Sequence, residues 1–130
     1  MDTDIRALAA IAQIYCDAAY EMDAEKFGSI FHPSCSVTRA GEDGKVTVTP
    51  IETWLSGVRG MKAPQLQGLE RHDEILSIDI VGELAVLTLK LQIPPLRFTD
   101  VLACLKGDGA WKIVQKVTFL QSGKPPPSDL

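Results

Sequence analysis

Apolar positions in this chain follow two periods. Over residues 4–22 they recur at helical spacing: Ile5, Leu8, Ala12, Tyr15 and Ala19 form one stripe, widened by Ile11, Ile14 and Ala18. Asp2 or Thr3 is placed to cap this helix, and Asp4 suits its positive end. Asp23 then reads as the cap of a short second helix running to Phe31, with Phe27, Ile30 and Phe31 inward; His32-Pro33 stops it. Residues 34–40 and 45–49 alternate as two short strands around Gly41-Glu42-Asp43-Gly44. Cys35, Val37 and Arg39 share one face of the first. Thr49-Pro50-Ile51-Glu52 has the form of a capping box, and it predicts a third helix carrying Ile51, Trp54, Leu55 and Val58 to about Gly60.

From residue 70 the period changes to two. Residues 70–81 and 83–93 read as strands joined at Gly82, with Leu87, Leu89, Leu91 and Ile93 on one face of the second. Pro94-Pro95 ends it or marks a sheet edge. Residues 97–119 form the most regular stretch, two long strands turning at Gly107-Asp108-Gly109, where a tight hairpin needs the positive φ that glycine supplies. Helices first and successive antiparallel strands afterwards predict an α+β domain, a curved sheet wrapped on three helices around a conical cavity. Residues 1–121 make one such domain. Residues 122–130 read as a Pro-rich, disordered tail. Val101, Ala103 and Leu105 make the sheet's other face apolar as well, and a homodimer through that outer face would cover it.

One residue breaks the apolar pattern. Asp100 shares a strand face with Phe98, Leu102 and Cys104, where an ionised carboxylate is costly unless paired, hydrogen-bonded or neutralised. It is a pocket carboxylate, a buried structural one paired with Arg39, Tyr15 or a backbone N–H, or, if the strand register is shifted, an exposed one. Tyr15, in mid-stripe, carries its hydroxyl into the interior, as a pocket donor or a satisfied core tyrosine. His32 precedes a proline at a helix end and suits a structural hydrogen bond as well as acid–base chemistry. His72 and Glu74 share a strand face and could meet a common ligand, but two groups do not make a metal site. Trp54 has a better claim to the pocket than Trp111. Cys104 has no histidine near it in sequence to activate it.

Composition narrows the function classes. A net charge of −4 and the lack of any Lys/Arg cluster argue against nucleic acid or an anionic membrane as partner. Three cysteines without C-x-x-C spacing suggest free thiols. The N-terminus lacks a signal-peptide pattern, and no apolar run approaches a membrane span, so a cytoplasmic protein is expected.

Three stretches carry a family resemblance: Tyr15 to Pro33, the T-P-I-E-T-W-L of the third helix, and F-T-D-V-L-A-C-L-K-G-D-G-A-W-K-I-V-Q-K-V from Phe98 to Val117. They resemble the nuclear transport factor 2-like superfamily, the cone fold shared by ketosteroid isomerase, scytalone dehydratase and the SnoaL-like cyclases, and within it the lumazine-binding-like branch. The resemblance to ketosteroid isomerase puts Tyr15 at its oxyanion-hole tyrosine and Asp100 at its protonated aspartic acid. Its general-base aspartate falls on Arg39, which cannot accept a proton, so that mechanism is not carried over. The resemblance implies a small-molecule pocket protein: a cofactor-independent isomerase, cyclase or dehydratase acting on an apolar carbonyl compound. Asp100 and Tyr15 would be its catalytic pair, and His32, Arg39, Trp54, Phe98 and His72 would line its pocket. The alternative is a non-catalytic binding or dimerisation module. No cofactor is expected.

Overall fold

The computed structural model describes residues 2–41, 43–93 and 95–122. The turn residue Glu42, Pro94 and the tail from residue 123 onward lie outside the described residues. Helix α1 (Asp2–Glu21) and the one-turn α2 (Ala24–Gly28) precede strands β1 (Ser36–Ala40) and β2 (Val46–Pro50). Helix α3 (Ile51–Arg59) and a 3-10 turn (Gln65–Gln67) follow, then strands β3 (Asp73–Val81), β4 (Leu84–Ile93), β5 (Leu96–Gly107) and β6 (Ala110–Ser122). The strands form one sheet in the order β2-β1-β6-β5-β4-β3. All pairings are antiparallel except β1 with β6. The α+β cone is therefore the fold, with the helices on the sheet's inner face.

The helices dock through the stripes that the periodicity predicts. Leu8, Ala12, Tyr15 and Ala19 of α1, Phe27 of α2 and Trp54, Leu55 and Val58 of α3 join Leu87, Leu89, Leu102 and Ile113 of the sheet in one core. Ile5 is a correction, because it lies exposed. The first turn of α1 is oriented by Asp4, whose carboxylate accepts from Trp111 Nε1 and Lys106 Nζ, each at 3.0 Å. Those hydrogen bonds, Trp111's first, hold the Asp4 carboxyl below the usual carboxylate range. The far end of α1 is held by Arg71, which pairs with both Asp17 and Asp73 and lies over the Tyr20 ring.

Capping is half as expected. Asp23 caps α2, its carboxylate accepting from Lys26 N–H at 3.0 Å. The capping box at α3 does not form. Thr49 belongs to β2, Pro50 is the cap residue, and no side chain bonds the helix end. Proline's fixed φ carries the chain from strand directly into helix and leaves Thr49 in the ladder. The β5–β6 hairpin turns on Asp108 and Gly109, with φ of 51° and 78°, the left-handed pair that a two-residue loop demands.

Strand β6 contains the feature that shapes the interior. Ala103 pairs with Gln115 and Cys104 pairs with Ile113, which leaves Val114 as an extra, unpaired residue. This bulge shifts the alternation by one. Trp111 and Ile113 point inward before it. Lys116 and Thr118 point inward after it, while Val117 and Phe119 turn outward at 50% and 64% exposure.

Candidate functional site

The interior narrows to a cavity walled by Ala19, Phe27, Val58 and Leu91, with half-buried Met22, Met61, Ile93, Leu96 and Phe98 toward its rim. Its volume is about 50 Å³. At roughly 10–15 Å³ per water, that is room for a few water molecules. Against these apolar walls stand four polar side chains, those of Tyr15, Asp100, Lys116 and Thr118.

Asp100 is 2% exposed and lies in β5 between Leu89 of β4 and Thr118 of β6. Its Oδ2 accepts from the Tyr15 hydroxyl at 2.7 Å, and its Oδ1 accepts from the Thr118 hydroxyl. Two donors on one buried carboxylate offset part of its desolvation, which for an isolated charge would cost several kcal/mol. Tyr15, 1% exposed, is pushed well above the ordinary tyrosine range by burial first and by the adjacent Asp100 charge second. It therefore stays a hydroxyl donor. Its ring packs edge-on against Phe27, and Phe27 packs edge-on against Trp54, with centroids 5.3 and 4.8 Å apart.

Lys116 is 5% exposed. Its Nζ stands 3.9 Å from the Trp54 ring centroid and 5.3 Å from that of Tyr15. Burial pulls its pKa below the ordinary lysine value; the Asp100 charge opposes this and the Arg39 charge adds to it. The Trp54 Nε1–H is buried without an acceptor among the described residues. An orphaned donor of this kind costs about 1–3 kcal/mol.

Of the seven residues singled out from sequence, the cavity brings together Tyr15, Asp100, Trp54 and Phe98. The other three stand elsewhere. His32 is exposed, its Nδ1 bonded to the Ser34 hydroxyl at 2.7 Å and accepting from Ser34 N–H at 3.1 Å. Arg39 is half-buried on β1, with its carbonyl accepting from the Thr47 hydroxyl. His72 is exposed, pairs with Glu70 at 3.0 Å, and lines a separate open groove of about 510 Å³ with Glu74, Lys90 and Arg97. Phe98 borders both spaces. Among the described residues no three His, Cys, Asp or Glu side chains cluster in a way that could hold a metal ion.

Lys116 and Thr118 escape a reading by alternation, because the bulge at Val114 reverses the face. The one sequence signal for Lys116 is its place in the Phe98-to-Val117 stretch that carries the family resemblance. Residues 3–118 match the family described as putative lumazine-binding. The chain belongs to that family. No functionally curated protein matches it. An NTF2-like protein of unknown function from Shewanella baltica is similar in structure, with a TM-score of 0.85 and 24% identity over 93% of this chain and 96% of that one. A second, from Methylobacillus flagellatus, gives 0.79 and 26% over 92% and 94%. A ketosteroid isomerase-like protein from Erwinia carotovora gives 0.71 at 12% identity over 95% and 100%, which is a likeness of fold alone. Nuclear transport factor 2-like membership thus rests on sequence and fold together.

Proposed function

We propose that the cavity of this lumazine-binding-family protein binds a small, mainly apolar molecule bearing a carbonyl oxygen. In this reading Asp100 moves a proton and Tyr15 steadies the negative charge that develops on the ligand oxygen. The 2.7 Å bond from Tyr15 to Asp100 on a cavity wall carries the proposal. A core needs no ion there, and a buried carboxylate and hydroxyl bordering an apolar cavity are an arrangement suited to proton transfer without a cofactor. The family's description speaks of lumazine, and one protein of similar fold is named ketosteroid isomerase-like. The cavity of about 50 Å³ has to widen for any organic ligand, and less for a small carbonyl compound than for a bicyclic ring such as lumazine.

A second reading has an observation of its own. Both carboxylate oxygens of Asp100 are already engaged by hydroxyls, which suits a binding module without chemistry. Deuterium exchange at the α-carbon of cyclohexanone, followed by NMR with the protein in heavy water, separates the two. Exchange that is lost in Asp100→Asn supports catalysis. Saturable binding without exchange supports the module. Neither binding nor exchange would sink both.

The chain is also proposed to be a homodimer through the outer sheet face. Val48, Val101, Leu105, Val117 and Phe119 lie exposed on it, and Val101 pairs directly with Val117 across the β5–β6 ladder. A cytoplasmic location fits the three free cysteines. Among the described residues no helix is long and apolar enough to cross a membrane.

A further inference from the structure

We propose that Lys116 is a carbonyl-capturing amine, which forms a reversible imine with a small aldehyde or ketone held in the cavity. The inference rests on the pocket reading above and adds to it a covalent step at a residue outside the Tyr15–Asp100 pair.

The position of the amine is the first ground. Lys116 shares the cavity with Tyr15, Asp100 and Thr118, and reaches it only because the Val114 bulge turns it inward. A lysine buried for stability alone is expected to be ion-paired. Among the described residues Lys116 has no carboxylate within ion-pair distance, and its Nζ rests on the faces of Trp54 and Tyr15. Those rings fix the side chain without occupying the nitrogen's bonding capacity.

The chemistry of the surroundings is the second ground. Nucleophilic lysines are made by desolvation, which favours the neutral amine carrying a free lone pair. Burial acts on Lys116 in that sense. The apolar walls formed by Ala19, Phe27, Val58 and Leu91 also limit the water that would hydrolyse an imine. The thiols do not compete: burial raises Cys16 and Cys104 to about 12 and Cys35 to about 11.

The step balances within the site. The Nζ lone pair forms a C–N bond to the carbonyl carbon, and the carbonyl oxygen takes up a proton to give a carbinolamine. The C–O bond then breaks, water leaves, and the nitrogen loses its remaining proton to give the imine. Asp100, one diagonal step from Lys116 across the β5–β6 ladder, is placed to receive and return these protons, with Tyr15 donating to the departing oxygen. Amine plus carbonyl becomes imine plus water, with no oxidant or reductant, and hydrolysis reverses it.

The test uses butanal as probe, with sodium borohydride to reduce any imine to a stable butylamine, followed by peptide mapping. The expected result is that the folded wild-type protein is butylated at Lys116 ahead of the exposed Lys45 and Lys62, and that the preference disappears in urea. Lys116→Arg keeps a cation over Trp54 and should lose the mark. The wild-type map decides the matter even if that variant fails to fold. Butan-1-ol, which has no carbonyl, is run in parallel by ligand-observed NMR. If both probes bind saturably and Lys116 stays unmodified while surface lysines react, imine capture is overturned and the pocket reading stands. If neither probe binds and Lys116 is unmodified, both are overturned.

Discussion

Tyr15 and Asp100 stand 85 residues apart and share a buried 2.7 Å hydrogen bond. That contact joins the first helix to the fifth strand and sets the polarity of an otherwise apolar cavity. Tyr15→Phe removes one of the two hydroxyls on the carboxylate and should destabilise the protein by about 1–3 kcal/mol in urea denaturation. Combined with Asp100→Asn in a double-mutant cycle, the pair should show a coupling of about 0.5–3 kcal/mol. Strict additivity would mean that the bond is not formed in solution.

Lys116 gives a signed pH dependence. It is faced by Tyr15 of α1, Trp54 of α3, Asp100 of β5, Arg39 of β1 and Cys35 just before that strand. Its folded pKa lies below the ordinary 10.5, with burial outweighing the attraction of Asp100. The unfolded chain therefore binds more protons between the two values, and this group's contribution to stability rises with pH across that window. Lys116→Met should be more stable than wild type at neutral pH, and the advantage should shrink as pH climbs toward 10.5. Thermal melts across that range read the trend; an advantage that grows with pH would contradict the burial argument.

Phe119 and Val117 lie on the outer face at 64% and 50% exposure. If two copies pair through this face, Phe119→Lys places a charge in the apolar contact and should convert dimer to monomer in sedimentation velocity, while circular dichroism stays unchanged. A monomeric wild type would rule out the proposed dimer.

The cysteines should be slow. All three are buried, and burial raises each thiol well above its usual range, Cys35 least, at about 11. Reactivity needs the thiolate. A chromogenic disulfide reagent should label the native protein at a small fraction of its rate in urea, at neutral pH. Rapid labelling of one thiol in the folded state would show an opening that these contacts do not provide.

The chain's periodicities alone determined the α+β order, the buried stripes of the three helices, the β5–β6 hairpin and the oddity of Asp100. Helical and alternating spacing are local properties, and local properties are written in sequence. Register across strands is not local. One extra residue, Val114, moves Lys116 and Thr118 inward and sends the more apolar Val117 and Phe119 outward, the reverse of what hydrophobicity predicts. Only the ladder between β5 and β6 decides that. Distance through space is likewise invisible in the chain. His32 and His72 carry the chemistry of a pocket but lie exposed outside this cavity, bonded to Ser34 and Glu70. Tyr15 meets Asp100 because helix packing on a curved sheet brings them together. Local spacing thus specifies which elements form and which carboxylate is unusual, and packing through space sets which side chains share a cavity with it.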